Sequence, residues 1–151
     1  MERTGQVDDL LIRTLKIGDV EALSRITSSI IKKPTVINFK RIIEEQSKSS
    51  GVQSFVAELR GSVVGYMISY TLSGGFGIDK SAWIAIVGVD PRFMGQGIGK
   101  ALAEETFRYY KEQGIRNIYT SVRWDSTDML SFFKTLGFDR SKFINLTKVL
   151  K

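Results

Sequence analysis

The sequence predicts an α/β (α+β) fold: a single mixed, mostly antiparallel sheet of six to seven strands flanked by four helices, in one domain over residues 1–151. Three observations predict it. Apolar periodicity switches along the chain in the order β-α-α-β-β-β-α-β-α-β. The run at 82–89 is apolar except for Gly88 and rich in β-branched residues, as a central strand covered on both faces requires, and it hands over to a helix through a glycine-rich loop. At 151 residues and 42% hydrophobic the chain can bury a full core unaided, and no repeat, low-complexity tract or linker interrupts it.

Residues 10–15 alternate weakly and read as a first strand. Asp19 then caps a helix whose Val20, Leu23, Ile26 and Ile30 follow helical spacing and which must end before Pro34. A second helix over 35–47 carries Val36, Phe39, Ile42 and Ile43 on one face, and the polar cluster at 47–51 turns the chain. Residues 53–59 and 62–72 are strands whose two-residue link, Arg60-Gly61, demands an antiparallel pair. The glycine-rich stretch 73–80 is a long turn or a loop that admits substrate. Residues 98–113 form a helix stopped by Gly114, with Ile98, Ala101, Leu102 and Tyr109 on its inner stripe. Residues 116–124 are a strand. Asp125 or Ser126 caps the next helix, where Met129, Phe132, Phe133 and Leu136 recur at i, i+3, i+4 and i+7 before Gly137 ends it. Residues 138–150 close the sheet with one or two strands, interrupted near 139–142.

From 87 to 102 the chain reads Val-Gly-Val-Asp-Pro-Arg-Phe-Met-Gly-Gln-Gly-Ile-Gly-Lys-Ala-Leu. Pro91 cannot donate to a ladder, and Gly95, Gly97 and Gly99 allow a tight path on which backbone N–H groups face one anion. The helix directly behind opens with unpaired N–H groups and the positive end of its dipole, so a diphosphate fits, with Arg92 and Lys100 adding cations on either side. A glycine turn that only lets the helix pack on the sheet is the plain alternative. Two other phosphate motifs fail. The nucleoside-triphosphate loop needs glycine, four residues of any kind, then Gly-Lys-Ser/Thr, but Met94 and Ala101 stand at the first and last of these positions. The dinucleotide fingerprint needs a glycine where Lys100 stands.

Composition removes further classes. With no cysteine and no histidine, thiolate and imidazole metal sets, disulfides and histidine-assisted nucleophiles are excluded, so no metal is expected. The net charge of +6 comes from scattered Lys and Arg interleaved with acids, without the basic and aromatic alternation of an RNA-binding sheet, so no nucleic acid is expected. The polar start of the chain and strand-length apolar runs predict no signal peptide, no membrane span and a cytoplasmic location.

What remains, Arg92-x-x-Gly95-x-Gly97 followed by Ile98-Gly99-Lys100-Ala101-Leu102, strongly resembles the pyrophosphate signature of the GNAT superfamily of acyl-coenzyme-A-dependent N-acetyltransferases, which is Gln/Arg-x-x-Gly-x-Gly/Ala after a strand ending near Val-x-Pro. The resemblance spans nearly the whole chain, from Ile12-Arg13 and Gly18-Asp19 through Val56-Ala57-Glu58 and Val64-Gly65 to the end. It implies a GNAT-like sheet with splayed central strands: the strand at 86–89 parts from that at 118–123, and the pantetheine arm of coenzyme A lies in the gap against Val87, Gly88 and Val89. It further implies that Arg92, Phe93, Met94, Gly95, Gln96, Gly97, Ile98, Gly99 and Lys100 hold the pyrophosphate. A second block, Ser126-x-x-Met129-x-x-Phe132-Phe133-x-x-x-Gly137-Phe138, is similar to the family's Asn-x-x-Ala-x-x-x-Tyr-x-x-x-Gly-Phe and adds Ser126, Met129, Phe132 and Phe133 to the cofactor-binding set. Two positions depart from that pattern. Phe133 stands where many members carry a tyrosine that protonates the leaving thiolate, and Ser126 replaces an asparagine that contacts the pantetheine arm, although a serine hydroxyl can still hydrogen-bond. At helical spacing Phe132 and Phe133 read equally well as core.

The resemblance implies acetyl transfer from acetyl-coenzyme A to a primary amine by direct attack in a ternary complex. An amine of lysine type, with a pKa of about 10.4, must lose a proton first. The strand at 83–89 holds no carboxylate, so Glu58, Asp79, Tyr66, Tyr70 and Tyr119 are the candidate proton carriers, none marked by spacing. The backbone N–H of Val89 or its neighbour is the candidate for stabilising the developing oxyanion. A small-molecule amine and a protein amine are both open as acceptors, and a homodimer through the C-terminal strands is compatible with the family. The vacant acid position leaves a second reading, a non-catalytic acyl-coenzyme A sensor or regulatory module.

Overall fold

The computed structural model describes residues 9–73 and 79–151, so most of the stretch expected as a turn or loop at 73–80 lies outside the described residues. The chain divides into two compact units, Met1–Thr120 and Ser121–Lys151. In the first, one sheet runs in chain order: β1 (Leu10–Thr14), β2 (Phe55–Leu59), β3 (Ser62–Leu72), β4 (Ser81–Val89) and β5 (Ile118–Thr120). All neighbours are antiparallel except β4 and β5, which are parallel and joined through the helix α3 (Ile98–Glu112). Two further helices, α1 (Val20–Ile31) and α2 (Phe39–Ser47), lie between β1 and β2.

Alternation along β3 assigns the helices to faces. The Tyr66 hydroxyl meets Thr27 of α1 at 2.6 Å and its ring takes the edge of Phe39 of α2. The next residue, Met67, accepts from Thr106 of α3, and the Ser69 hydroxyl meets that of Tyr110 at 2.6 Å. Thus α1 and α2 cover one face and α3 the other. On the first face the core gathers Leu23, Ile26, Phe39, Ile43, Val56 and Ile68. Burial pushes the Tyr66 and Tyr110 phenols above their ordinary range, and their hydroxyl partners only partly offset this.

Local chemistry moves several expected boundaries. Asp19 stands at the start of α1 without capping it, because its carboxylate is taken by two Arg13 bonds of 2.8 and 2.9 Å and by the Lys16 N–H. Ile30 is exposed rather than core. The second helix starts at Phe39, not residue 35: the Thr35 N–H bonds Ser28, the Ile37 N–H bonds the Thr35 hydroxyl, and Asn38 then caps the helix through the Arg41 N–H, leaving Val36 98% exposed. On α3 the inner stripe takes Tyr110, whose hydroxyl reaches Ser69, whereas Tyr109 is half-buried against Phe55. The Arg60-Gly61 link has both residues at positive φ, the twist an antiparallel hairpin needs.

Among the described residues the sheet has five strands, not six to seven. The strand expected at 116–124 pairs only at Ile118–Thr120, where the Thr120 hydroxyl donates to the Ile84 carbonyl and ends the ladder. Residues 138–150 form no strand. Alternation marks a segment able to pair, but extended backbone keeps a strand only where pairing offsets its lost freedom. Ser141 instead turns back on Phe143, and Asn145 donates to Ser121 within the same unit. That second unit is built on α4 (Thr127–Thr135), where Phe133 is buried with its ring edge-on to Phe132 and Phe138, each 5.1 Å away.

Candidate functional site

The site is set by β4. Its first half, residues 81–84, pairs with β3 throughout and with β5 from Ala82 to Ile84; beyond Ile84 it keeps only β3. The register supplies the reason. Ser69 opposes Ile84 and Ile68 opposes Ile86, so Ala85 is an extra residue, a bulge that bends the strand where β5 stops. Ala85 is exposed and Ile86, Val87 and Val89 only half-buried, so the strand is not covered on both faces as its composition suggests.

At the end of β4 the backbone is fixed on both sides. The Asp90 N–H donates to the Val64 carbonyl at 2.8 Å, and its buried carboxylate accepts from the Arg92 N–H at 3.0 Å and from Nε and Nη2 of the same guanidinium at 3.2 and 2.8 Å. Those bonds hold the Asp90 carboxyl below the usual carboxylate range despite its burial. Arg92, read from sequence as a cation beside the diphosphate, is thus tied to Asp90, with its charge over the Phe93 ring. An acid two residues before a cation, across a proline, is the signal that would have shown this pairing.

Residues 94–97 then wrap around the head of α3. Gly95 and Gly97 adopt φ of 79° and 80°, which a side chain would strain. Gly97 occupies the N-cap with no side chain to bond the first-turn N–H groups. Met94, Gly95 and Lys100 are exposed, Gln96, Gly97 and Gly99 half-buried, and Ile98 is buried. Ile98 is seated because Gly65, which opposes Val89, has no Cβ; one there would stand 3.0 Å from the isoleucine. The helix head and the end of β4 are therefore anchored on one β3 residue. Lys100 lies 3.9 Å from Glu104.

Gly88 belongs to the other face. A Cβ there would meet the Tyr66 ring at 2.7 Å, so the residue has a packing role whatever else it does. Along this face Tyr70, Trp83 and Tyr119 oppose one another across three strands and stack, with centroids 6.5 and 4.9 Å apart and planes within 13° and 26°. Beside them opens a cleft of about 570 Å³ between α2 and the bulge, lined by Ile42, Gln46, Ile68, Tyr70, Ala85 and Ile86 among others. The sequence named the tyrosines singly; strand register was needed to see them as one stack.

The remaining candidates are dispersed. Glu58 lies on β2, two strands from β4, and holds Arg13 at 3.3 Å. Asp79 is exposed two residues before β4, Tyr119 stacks on Trp83, and Tyr66 is buried. In the second unit Ser126 precedes α4 without a side-chain cap bond, Met129 and Phe132 are half-buried, and Phe133 is buried. Among the described residues no group of acids could hold a metal ion, and no helix is long and apolar enough to cross a membrane.

The chain is similar to known proteins. Mycothiol acetyltransferase of Amycolatopsis mediterranei is 36% identical over 89 residues, which cover 57% of this chain and 30% of that protein. The chain thus spans about a third of the length of that curated relative. An N-alpha-acetyltransferase of Sulfurisphaera tokodaii is 26% identical over 141 residues, covering 88% and 82%. An aminoglycoside acetyltransferase from an uncultured soil metagenomic sample, solved with sisomicin, superposes with a TM-score of 0.78 at 23% identity over 95% of this chain and 98% of its own, a likeness of fold. Residues 23–138 match the Acetyltransferase (GNAT) family, and the chain belongs to it.

Proposed function

We propose that this chain is an N-acetyltransferase that moves the acetyl group of acetyl-coenzyme A to a primary amine by direct attack in a ternary complex. One observation carries the reading: two positive-φ glycines and an uncapped helix head stand at the end of a strand that has lost its partner on one side. Backbone amides of 95–100 with Arg92 and Lys100 suit a pyrophosphate, and residues 87–89 offer a pantetheine arm an open strand edge. Bound there, acetyl-coenzyme A supplies an activated thioester.

The chain's own residues then position and deprotonate. The amine nitrogen bonds the acetyl carbon, the carbon–sulfur bond breaks, and the proton lost by the amine ends on sulfur. The Val89 N–H is the proposed donor to the oxygen that gains charge. Asp79 and Tyr119 are the proposed proton carriers, whereas Glu58 is committed to Arg13. Ser126, Met129, Phe132 and Phe133 complete the proposed cofactor set, and residues 1–151 act as one domain, a reading supported by a family match that crosses the boundary at Thr120. Much of the acceleration comes from proximity.

Phe133 favours a competing reading, an acyl-coenzyme A-binding module without turnover, since it cannot donate a proton to the thiolate. Calorimetry with acetyl-coenzyme A followed by a free-thiol assay on a panel of amines separates the two. Binding with thiol release above the protein-free rate is expected; binding without release on any amine supports the module, and no binding at millimolar ligand refutes both.

A further inference from the structure

Resting on the acetyl-transfer reading, we infer that the acceptor is a monoamine on an aromatic or branched apolar body, seated against Tyr70 in the cleft beside the β4 bulge. The cleft reaches β4 at Ala85 and Ile86, where pairing with β5 has ended, so a molecule lying in it meets the strand at its open half. Its volume of about 570 Å³ suits a small ligand.

The walls select the class. Ile42, Val52, Ile68, Ile86 and the Tyr70 ring make the apolar part of the wall, Ser49, Ser50 and Thr71 add neutral hydroxyls, and Gln46 has both ends of its amide engaged, one accepting from Ser54 at 2.8 Å and the other donating to the Ser69 carbonyl at 2.9 Å. Among the described residues lining the cleft Glu45 alone is charged, and Arg41 already bonds its carboxylate at 3.0 Å. A polycation would have to bring several ammonium groups next to apolar walls with no matching set of carboxylates, which desolvation penalises. A single amine loses one proton and enters neutral.

Tyr70 supplies the positive selection. It is 42% exposed, yet its ring is fixed from behind by Trp83, which is itself stacked on Tyr119 and held through its indole N–H by the Ser81 hydroxyl at 3.0 Å. A flat or branched apolar body packing on a ring already held in place gains contact at little cost in ordering.

The test compares tryptamine, spermidine, glucosamine and sisomicin as acceptors by thiol release, with acetyl-coenzyme A affinity and amine binding to the free protein measured separately by calorimetry. Tryptamine is expected to exceed the other three in kcat/KM by about tenfold or more, and Tyr70→Ala to raise its KM about tenfold with cofactor affinity within about twofold, while Tyr70→Phe, which keeps the ring, holds KM within about twofold of the parent. Equal or better turnover of spermidine, glucosamine or sisomicin overturns the inference, as does a tryptamine KM unmoved by Tyr70→Ala in a protein that melts normally. Failure to bind acetyl-coenzyme A counts against the transfer reading instead. The acceptor class is then decided by the free protein, where tryptamine binding weakened by Tyr70→Ala supports it and preferential binding of the other amines overturns it.

Discussion

The two halves of β4 are close in composition and opposite in circumstance. Residues 81–84 lie between β3 and β5, with the Ala82 N–H bonded to the Asn117 carbonyl; residues 85–89 pair with β3 alone. Hydrophobicity hardly separates them, since Ser-Ala-Trp-Ile and Ala-Ile-Val-Gly-Val each hold a single residue that is neither aliphatic nor aromatic. An inserted residue at Ala85 and one threonine hydroxyl on Ile84 make the difference. The paired half is scaffold. The other half leaves backbone groups for a ligand, and three anchors keep it from drifting: the Tyr66 ring over Gly88, the Gly65–Ile98 contact and the Asp90 clamp.

Breaking the ligand end of the open half should have the largest effect. Gly97→Glu places a carboxylate and a strained φ in the loop that the proposal gives to a diphosphate. Acetyl-coenzyme A affinity should fall on the order of a thousandfold, about 4 kcal/mol, with the circular dichroism spectrum retained. Calorimetry showing parental affinity would remove the loop from the site. Next comes Gly88→Ala, whose new methyl group would overlap a ring that cannot swing aside, being bonded to Thr27 and packed on Phe39. It should cost about 3 kcal/mol of stability by overpacking, read by thermal or denaturant melts. A Tyr66→Leu background should recover part of that loss, which separates a packing role for Gly88 from a ligand role.

What could be read in the sequence follows the same division. The hairpin at Arg60-Gly61, the strand into the glycine loop and the helix behind it are written in local signals: positive-φ residues, a proline, and a 3.6-residue period. The open half of β4 is not local. It depends on which residue of β3 opposes which residue of β4, and a one-residue bulge leaves almost no trace in composition. The two overextended strands fail for a related reason, because alternation marks a segment able to pair and cannot say whether a partner edge is present. The Tyr70–Trp83–Tyr119 stack joins residues far apart in the chain through register alone. Arg92 was legible as a cation but not as one already held, since its partnership with Asp90 depends on the 3₁₀ turn at Pro91–Phe93.

A smaller effect tests the clamp. Asp90→Ala removes the acceptor for the Arg92 N–H and should cost between about 1 and 2 kcal/mol, the usual worth of such a cap. The pH dependence has a definite sign. Asp90 is held below the ordinary aspartate value of 3.8 in the folded chain by its bonds from Arg92, so its stabilisation is fully present above that value and is lost as pH falls through the depressed one. Melting temperatures at pH 7 and pH 3 should therefore converge in Asp90→Asn relative to the parent. An unchanged difference between the two pH values would mean that the acid sensitivity lies elsewhere, with Asp19 the next carboxylate to test, since its Arg13 and Lys16 bonds lower its titration despite the opposing effect of burial.

The smallest predicted effect bears most directly on why β4 has two halves. Thr120→Val keeps shape and β-propensity while deleting the hydroxyl that donates to the Ile84 carbonyl at 3.0 Å. Loss of one such bond is worth about 1 kcal/mol, and amide exchange at 118–120 should quicken accordingly. If the threonine only finishes the scaffold half, acetyl-coenzyme A affinity stays within about twofold of the parent, because the bulge at Ala85 still keeps the next residues out of register with β5. A parallel loss of affinity would mean that the bulge alone does not hold the open edge in place, and that the last residue of β5 sets where the ligand-accepting half begins.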